Sequence, residues 1–259
     1  MNTVSIASER PVVLVTGAAR RLGREIALEL AAHGYDIAVH YRTSAEDAAE
    51  TVASIGALGG RGEALGADLS DESACARLVS DVLERFSRLD AVVNNASVFE
   101  HDDVQSFGHA AMEKHWRANT APALLLARAL HDHLEARQAR GTVINLLDQK
   151  LWSPNPDFLS YTLSKAALHT ATLLLAQALA PRVRVCGVAP GLTLGNELID
   201  EARLKKLQAQ LPLGHGPSGG DIAAAVRFLL EAKAITGAIL VVDAGQYLQP
   251  AGRDLAFMA

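Results

Sequence analysis

Seven short apolar runs punctuate the chain: VVLVT (12–16), DIAVHY (36–41), GEALGA (62–67), AVVNN (91–95), TVINLL (142–147), VRVCGVA (183–189) and AILVVD (238–243). Their length and density of apolar residues predict buried strands. Longer amphipathic stretches separate them. One, LGREIALELAAHG (22–34), ends at Gly34 as a helix C-cap would. Strands that alternate with helices predict parallel pairing, right-handed crossovers and helices on both faces of the sheet. The expected fold is therefore α/β: one doubly wound parallel sheet of about seven strands. No repeat, low-complexity tract or linker divides the chain, so residues 1–259 are expected to form one domain.

Two helical stretches, TAPALLLARALH (120–131) and KAALHTATLLLAQALA (165–180), are apolar on most of their faces. Such a helix needs more cover than its own sheet provides. A deep core in a large domain is one source of cover. A helix-to-helix subunit interface is the other, and it predicts a homo-oligomer.

Composition narrows the function classes. Hydrophobic residues make up 49% and charged residues 20% of the chain, with a net charge of −5. That balance gives no reason to expect nucleic acid or an anionic membrane as partner. The opening MNTVSIASER lacks the apolar stretch of a signal peptide, and no apolar run approaches the roughly 18 residues that span a bilayer. The two cysteines, Cys75 and Cys186, form no C-x-x-C and suit a reducing cytosol. A cytoplasmic protein is expected. His131 and His133 are two apart and no HExxH occurs, so no metal site is expected.

The first strand runs directly into TGAARRLG (16–23) and then a helix. Gly17 permits a tight turn there, Gly23 permits close packing, and the helix N-terminus offers free N–H groups to a phosphate. Arg20 and Arg21 oppose the macrodipole at that end, which suggests that an anion belongs there; solvated loop arginines are the simpler account. At the end of the second strand, HYRTS (40–44) has no acid to bind a ribose 2′-hydroxyl, whereas Arg42 suits a 2′-phosphate. NADPH is thus favoured over NADH. Thr43 or Ser44 also reads as a helix N-cap, because TSAE and SAED both resemble capping boxes.

Later in the chain, Tyr161 and Lys165 stand four apart on one helical face, where an ammonium makes a phenol more acidic. Thr16, Gly17 and Gly23, Asp68 after the third strand, NNAS (94–97) after the fourth, Asn119, the Tyr161/Lys165 pair and Pro190-Gly191 follow in one order. Together they resemble the short-chain dehydrogenase/reductase family along nearly the whole chain. The resemblance implies a Rossmann-type fold, a nicotinamide cofactor and catalytic roles for Asn119, Tyr161 and Lys165, with Asn119 supporting a water-linked proton relay to Lys165. Pro122, which has no N–H to give the Ala118 carbonyl, predicts a disturbed helix at that point. The resemblance further implies cofactor contacts from Gly17, Arg21, Leu22, Gly23, His40, Tyr41, Arg42, Thr43, Ser44, Asp68, Leu69, Asn95, Ala96, Ser97, Tyr161, Lys165, Pro190, Gly191 and Thr193.

Two positions depart from the family pattern. Arg21 replaces the middle glycine of T-G-x-x-x-G-x-G, and Asp148 replaces the serine usual thirteen residues before the tyrosine. Both departures are similar to the pteridine reductase and dihydromonapterin reductase branch, as are HYR with a nearby serine, NNAS followed by Phe99, and PGLT. That branch implies a pterin as substrate, bound by Arg21, Ser97, Phe99, Asp148 and Tyr161. Phe99 would stack on a flat bicyclic ring, and Arg21 could reach both pyrophosphate and pterin. A carboxyl group can donate or accept a proton, so Asp148 suits a C=N bond whose nitrogen must be protonated. Its plainer reading is a loop aspartate that caps the turn before WSPNP (152–156). Residues 192–217, with helical NELIDEARLKKLQAQL, predict a substrate lid. The resemblance implies a tetramer, and Arg253 in the tail PAGRDLAFMA is the candidate contact to a neighbouring subunit. The rival readings are an NADPH-dependent carbonyl reductase of the 3-oxoacyl type and a catalytically silent NADP-binding sensor.

Overall fold

The computed structural model of the protein describes residues 10–258. The first nine residues, which carry most of the segment expected to lack a leader, and Ala259 lie outside them. Seven parallel strands form one sheet in the order β3-β2-β1-β4-β5-β6-β7. They are β1 (Val12–Val15), β2 (Asp36–Tyr41), β3 (Gly62–Gly66), β4 (Ala91–Asn94), β5 (Gly141–Leu146), β6 (Val183–Pro190) and β7 (Ile239–Val242). Every strand run read from the sequence is present, with ends moved by one residue or less.

Eight α-helices accompany the strands: α1 (Arg21–Ala32), α2 (Ala45–Ala57), α3 (Glu72–Phe86), α4 (His109–His115), α5 (Ala121–Ala136), α6 (Leu159–Ala178), α7 (Glu201–Gln208) and α8 (Gly219–Glu231). Alternate strand residues feed two cores, as a pleated sheet covered on both faces requires. Val13 and Val15 of β1 face the helices α1, α2 and α8. Val12 and Leu14 face α3 and α5. Gly34 follows α1 with a left-handed φ of +91°, as its reading as a cap predicts.

The strand order reverses between β1 and β4, so their carboxyl ends open the crevice in which ligands of such sheets bind. Pro122 also has its predicted effect. A π-helical turn, Trp116–Thr120, precedes α5, and the proline sits in that helix's first turn. On α6, Leu163, Leu173 and Leu174 remain exposed in the single chain. No described helix is long and apolar enough to cross a membrane.

Three local expectations are corrected. Ser44 is the N-cap residue of α2, but its hydroxyl makes no capping bond. The capping box occurs at α8, where Ser218 and Asp221 bond reciprocally. Within 192–217, only Glu201–Gln208 is helical, because Asp200 caps the helix through the Arg203 N–H and the preceding Asn196–Ile199 segment closes as a turn.

Candidate active site

The carboxyl ends of β1, β4, β5 and β6 open into a cleft of about 960 Å³. At one end lies the turn between β1 and α1. Gly17 has a φ of +64°, which only glycine adopts without strain. A Cβ on Gly23 would lie 2.2 Å from the Gly17 carbonyl oxygen, so the helix can pack this closely only with glycine there. The first turn of α1 carries no acid, which leaves its N-terminal N–H groups suited to an anion. Side chains brace the loop from behind. The Thr16 hydroxyl accepts from the Asn95 and Ala96 N–H groups at 2.9 and 3.0 Å, and the Asn95 amide donates to the Thr16 carbonyl at 2.9 Å.

His40 braces it as well. Its Nδ1 accepts from the Gly17 N–H at 3.0 Å and its Nε2 lies 3.1 Å from the Ala67 carbonyl. The ring is therefore neutral with the proton on Nε2, and burial lowers its pKa. Leu69 is likewise packed into the core, which leaves only its backbone for a ligand. Arg42 and Thr43 stand exposed beside the end of β2, and Arg42 forms no ion pair among the described residues. Asp68 stays strongly acidic because the Ser70 hydroxyl and N–H both bond its carboxylate.

A phosphate-bearing cofactor fits this end. The glycine turn rejects a Cβ, the helix terminus is free of acids, and arginines flank it at Arg20, Arg21 and Arg42. Arg20 is shared with Asp47 at 3.4 Å. Arg21 has a φ of +54°, a conformation that disfavours a side chain by about 1–2 kcal/mol. Its guanidinium donates to the Gly195 carbonyl at 2.8 Å, so it ties the nucleotide turn to the 192–217 segment. Across the cleft, a Cβ on Gly191 would meet Asp243 at 2.6 Å, and Thr193 bonds the Gly191 carbonyl at 2.9 Å.

At the other end, β5 delivers Asp148 and α6 delivers Tyr161 and Lys165. Asp102, far away in the chain, holds the start of α6 by accepting from the Ser160 N–H at 2.9 Å and from the Ser160 hydroxyl. Tyr161 donates to Asp148 Oδ2 at 2.8 Å, and the Lys150 N–H donates to Oδ1 at 2.8 Å. The turn-capping role of Asp148 and its place beside the tyrosine are therefore both real. Burial raises the Asp148 pKa against the bonds and ammonium groups that would lower it.

Lys165 donates to the Leu146 carbonyl at 2.7 Å, and burial lowers its pKa to about 8. Its Nζ lies 5.8 Å from the centre of the Tyr161 ring. The Tyr161 pKa is nevertheless raised well above the usual tyrosine value, through burial first and the Asp148 charge second. This corrects the expectation of an acidified phenol, because in the chain alone those two effects outweigh the lysine.

Asn119 joins two elements of the site. Its amide oxygen accepts from the Val98 N–H at 2.7 Å, and its nitrogen donates to the Val98 carbonyl and to Ser164 Oγ at 3.0 Å each. The side chain joins the β4 loop to α6 and makes no bond to Lys165. Phe99, 43% exposed, stacks on Phe158 at 4.1 Å and meets the Tyr161 ring edge-on at 4.6 Å. One of its faces is thus already covered by protein. Leu22, Ser97 and Pro190 line the same cleft. Tyr41 packs outside it against Gly66.

Arg253 is tied to its own subunit. It pairs with Asp157 at 2.8 Å, and Arg253 and Asp254 both line the cleft. Lys150, buried beneath them and paired with Asp254 at 3.0 Å, was missed from sequence. The only signal was its place two residues after Asp148. No group of three or more His, Cys, Asp or Glu among the described residues could hold a metal.

The chain is similar to known proteins in sequence and fold. A family profile described as short chain dehydrogenase matches residues 11–205. The chain is 34% identical over 254 residues to granaticin polyketide synthase putative ketoacyl reductase 2 of Streptomyces violaceoruber, covering 93% of this chain and 98% of that one. It is 33% identical to the 3-oxoacyl-acyl-carrier-protein reductase FabG of Staphylococcus aureus, covering 91% and 97%. Among solved structures, it resembles the FolM alternative dihydrofolate reductase 1 of Brucella canis complexed with NADP, with a TM-score of 0.88, 36% identity and coverage of 94% and 96%. The FolM structure from Brucella suis, also in complex with NADP, matches with a TM-score of 0.88, 37% identity and coverage of 94% and 97%. With its parallel sheet, its glycine turn and its Tyr161/Lys165 pair, the chain belongs to the short-chain dehydrogenase family.

Proposed function

We propose that the protein is an NADPH-dependent reductase of pterins, converting a dihydropterin or dihydrofolate to its tetrahydro form. One observation carries this reading: a half-buried carboxylate, Asp148, is hydrogen-bonded to the tyrosine hydroxyl at 2.8 Å. A ketone needs only one proton donor at its oxygen. A ring C=N sits among several nitrogens, and a carboxyl group whose pKa is raised by desolvation is a better proton donor to one of them. The likeness to the two Brucella FolM structures supports the same substrate class.

When bound, NADPH supplies the hydride to the ring carbon. The chain holds its phosphates at Gly17, Gly23 and the start of α1, and Arg42 with Thr43 and Ser44 recognises the 2′-phosphate. Tyr161 gives the neighbouring nitrogen its proton, and the Lys165 ammonium stabilises the phenolate left behind. Asp148 relays protons to Tyr161 or directly to a second ring nitrogen, and its role is greatest for a fully oxidised pterin. Phe99 offers its uncovered face to the flat substrate. Leu163, Leu173 and Leu174, exposed on α6, would be covered in a cytosolic homotetramer.

A second reading, an NADPH-dependent 3-oxoacyl-type carbonyl reductase, is favoured by the identity to the ketoacyl reductases. The test is NADPH consumption with dihydrobiopterin, dihydromonapterin and dihydrofolate beside a panel of ketones and 3-oxoacyl thioesters. Turnover of the dihydropterins at kcat/KM well above every ketone is expected. The reverse order would establish the carbonyl reductase, and NADPH binding without turnover of anything would leave a sensor.

A further inference from the structure

The C-terminal turn enters the wall of the cleft directly behind the proton donors. Asp254 Oδ2 accepts from Lys150 Nζ at 3.0 Å, while its Oδ1 accepts from the Ala256 N–H at 3.0 Å. Its own N–H donates to Asp157 at 2.7 Å. Lys150 is 3% exposed, and a buried ammonium requires such a partner. The same residue's backbone N–H holds Asp148 Oδ1. Lys150 is therefore a rigid link between a carboxylate in the tail and the carboxylate in the site.

Two further contacts tie the tail to the machinery. Phe257 stacks on Phe158 at 5.8 Å, and Phe158 stacks in turn on Phe99. Phe158 has a left-handed φ of +57°, a conformation that a bulky residue keeps only where its surroundings hold it. From α7, the Arg203 guanidinium donates to the carbonyls of Ala256 and Met258 at 3.0 and 2.7 Å. The tail thus joins the lid helix to the floor of the site.

We infer that Asp254 is a positioning residue for the proton donors: through Lys150 it fixes the turn that orients Asp148 and balances the charge of the cleft floor. The inference rests on the reading of Asp148 as a proton donor. The charged and titratable groups around Asp148 and Tyr161 are Lys150 from the 149–151 turn, Lys165 from α6, Asp254 from the tail and His115 from α4. The His115 ring lies 6.3 Å from that of Tyr161. Lys150 and Lys165 face Asp148 and Asp254, two cations against two carboxylates. Lys150 also acts on Asp157, whose charge Arg253 pairs; without Asp254, more of the Lys150 charge acts on Asp148 and its proton is lost more easily. Without Lys150, the two carboxylates oppose each other's ionisation and protons are held more tightly. The directions agree with Lys150 lowering the Asp148 pKa and Asp254 raising that of Tyr161.

The experiment compares pH–rate profiles of kcat for the full chain, Asp254→Asn, Lys150→Met and the double variant. The substrate is whichever pterin or carbonyl compound the wild type reduces. Asp254→Asn should move the profile toward lower pH by about one unit and Lys150→Met toward higher pH by a similar amount. The double variant should return toward the wild type, and KM for NADPH should stay unchanged throughout. Hydrogen exchange supplies a readout without turnover: Asp254→Asn should speed exchange both at 148–152 and at 201–208. A lower kcat with an unmoved profile, or both single variants moving it the same way, would overturn the inference. So would unchanged exchange in either segment. Reduction of ketones alone would remove the pterin reading while these shifts still decide the role of Asp254.

Discussion

Around Gly17 and Gly23 the chain presents backbone, whereas around Asp148 and Tyr161 it presents buried ionisable side chains. The phosphate end is shaped by a left-handed glycine and by a second glycine whose Cβ would collide with the first. Of its three arginines, Arg20 and Arg42 are exposed and Arg21 reaches across to Gly195. The proton-transfer end draws Asp148, Lys150, Tyr161, Lys165 and Asp254 from three separate parts of the chain, and burial shifts the first, third and fourth of that set. Phosphate recognition needs N–H groups in the right places, which any backbone supplies once its turn is allowed. Proton transfer needs perturbed acids and bases, and those exist only where packing removes water.

Substitutions at the proton-transfer end should therefore change rate without changing cofactor affinity, and there the largest effect is expected. General acid catalysis contributes about 10²–10⁴-fold, so Tyr161→Phe should lose at least that factor in kcat on a dihydropterin. Asp148→Ser should lose a large part of it while keeping some activity, and the loss should grow with a fully oxidised pterin. The dissociation constant of NADPH for Asp148→Ser, measured by calorimetry, should match the wild type. A wild-type rate from Asp148→Ser would reduce the aspartate to the turn cap that its bond to Lys150 already makes it.

The unequal legibility of the two ends follows from the same physics. Strands, glycine turn and the disturbed helix before Pro122 are readable, because each depends on residues within a few positions of one another. The ring partners of His40, Gly17 and Ala67, are not readable, because they depend on how three strands align. The bonds of the Asn119 amide to Val98 and Ser164 are hidden for the same reason, since nothing local brings those segments together. The rise in the Tyr161 pKa was unreadable for a related reason: the sign depends on how deeply the pair is buried, and spacing on a helix does not encode depth. Lys150 and Asp254 are 104 residues apart in the chain, beyond any periodic signal.

Stability offers the next contrast. A Lys165 pKa lowered from 10.5 to about 8 corresponds, at about 1.4 kcal/mol for each pH unit, to an instability of about 3 kcal/mol at pH 7. The unfolded chain binds more protons between pH 8 and 10.5, so this penalty disappears as pH rises through that window. Lys165→Met should therefore be inactive yet more stable than the wild type at pH 7. The gain should be less than the full amount, because the Leu146 carbonyl loses its donor, and it should vanish near pH 10.5. Thermal unfolding across that range measures it. A variant less stable at pH 7 would show that the ammonium supports the fold as well as the chemistry.

At the phosphate end, a single side chain should alter selectivity and little else. Arg42→Asp should weaken NADPH by about 1–3 kcal/mol relative to NADH, the range for one charge-assisted contact. Its kcat at saturating cofactor should hardly change. Equal affinity of the wild type for the two cofactors would remove the 2′-phosphate assignment.

Ser44 gives the smallest and most discriminating effect. A serine that caps a helix contributes about 1 kcal/mol, and Ser218 has the bonds to do so in α8. Ser44 occupies the same position at the start of α2 and makes no such bond. Ser218→Ala should therefore lower the unfolding temperature, while Ser44→Ala should leave it within experimental error. If the hydroxyl is instead kept for a phosphate oxygen, Ser44→Ala should raise the dissociation constant of NADPH several-fold, in line with about 1 kcal/mol for one hydrogen bond. NADH affinity should not move, because that cofactor has no 2′-phosphate to lose. A drop in stability equal to that of Ser218→Ala would mean that the hydroxyl turns back to cap its helix in solution. Recognition of the 2′-phosphate would then rest on Arg42 and Thr43.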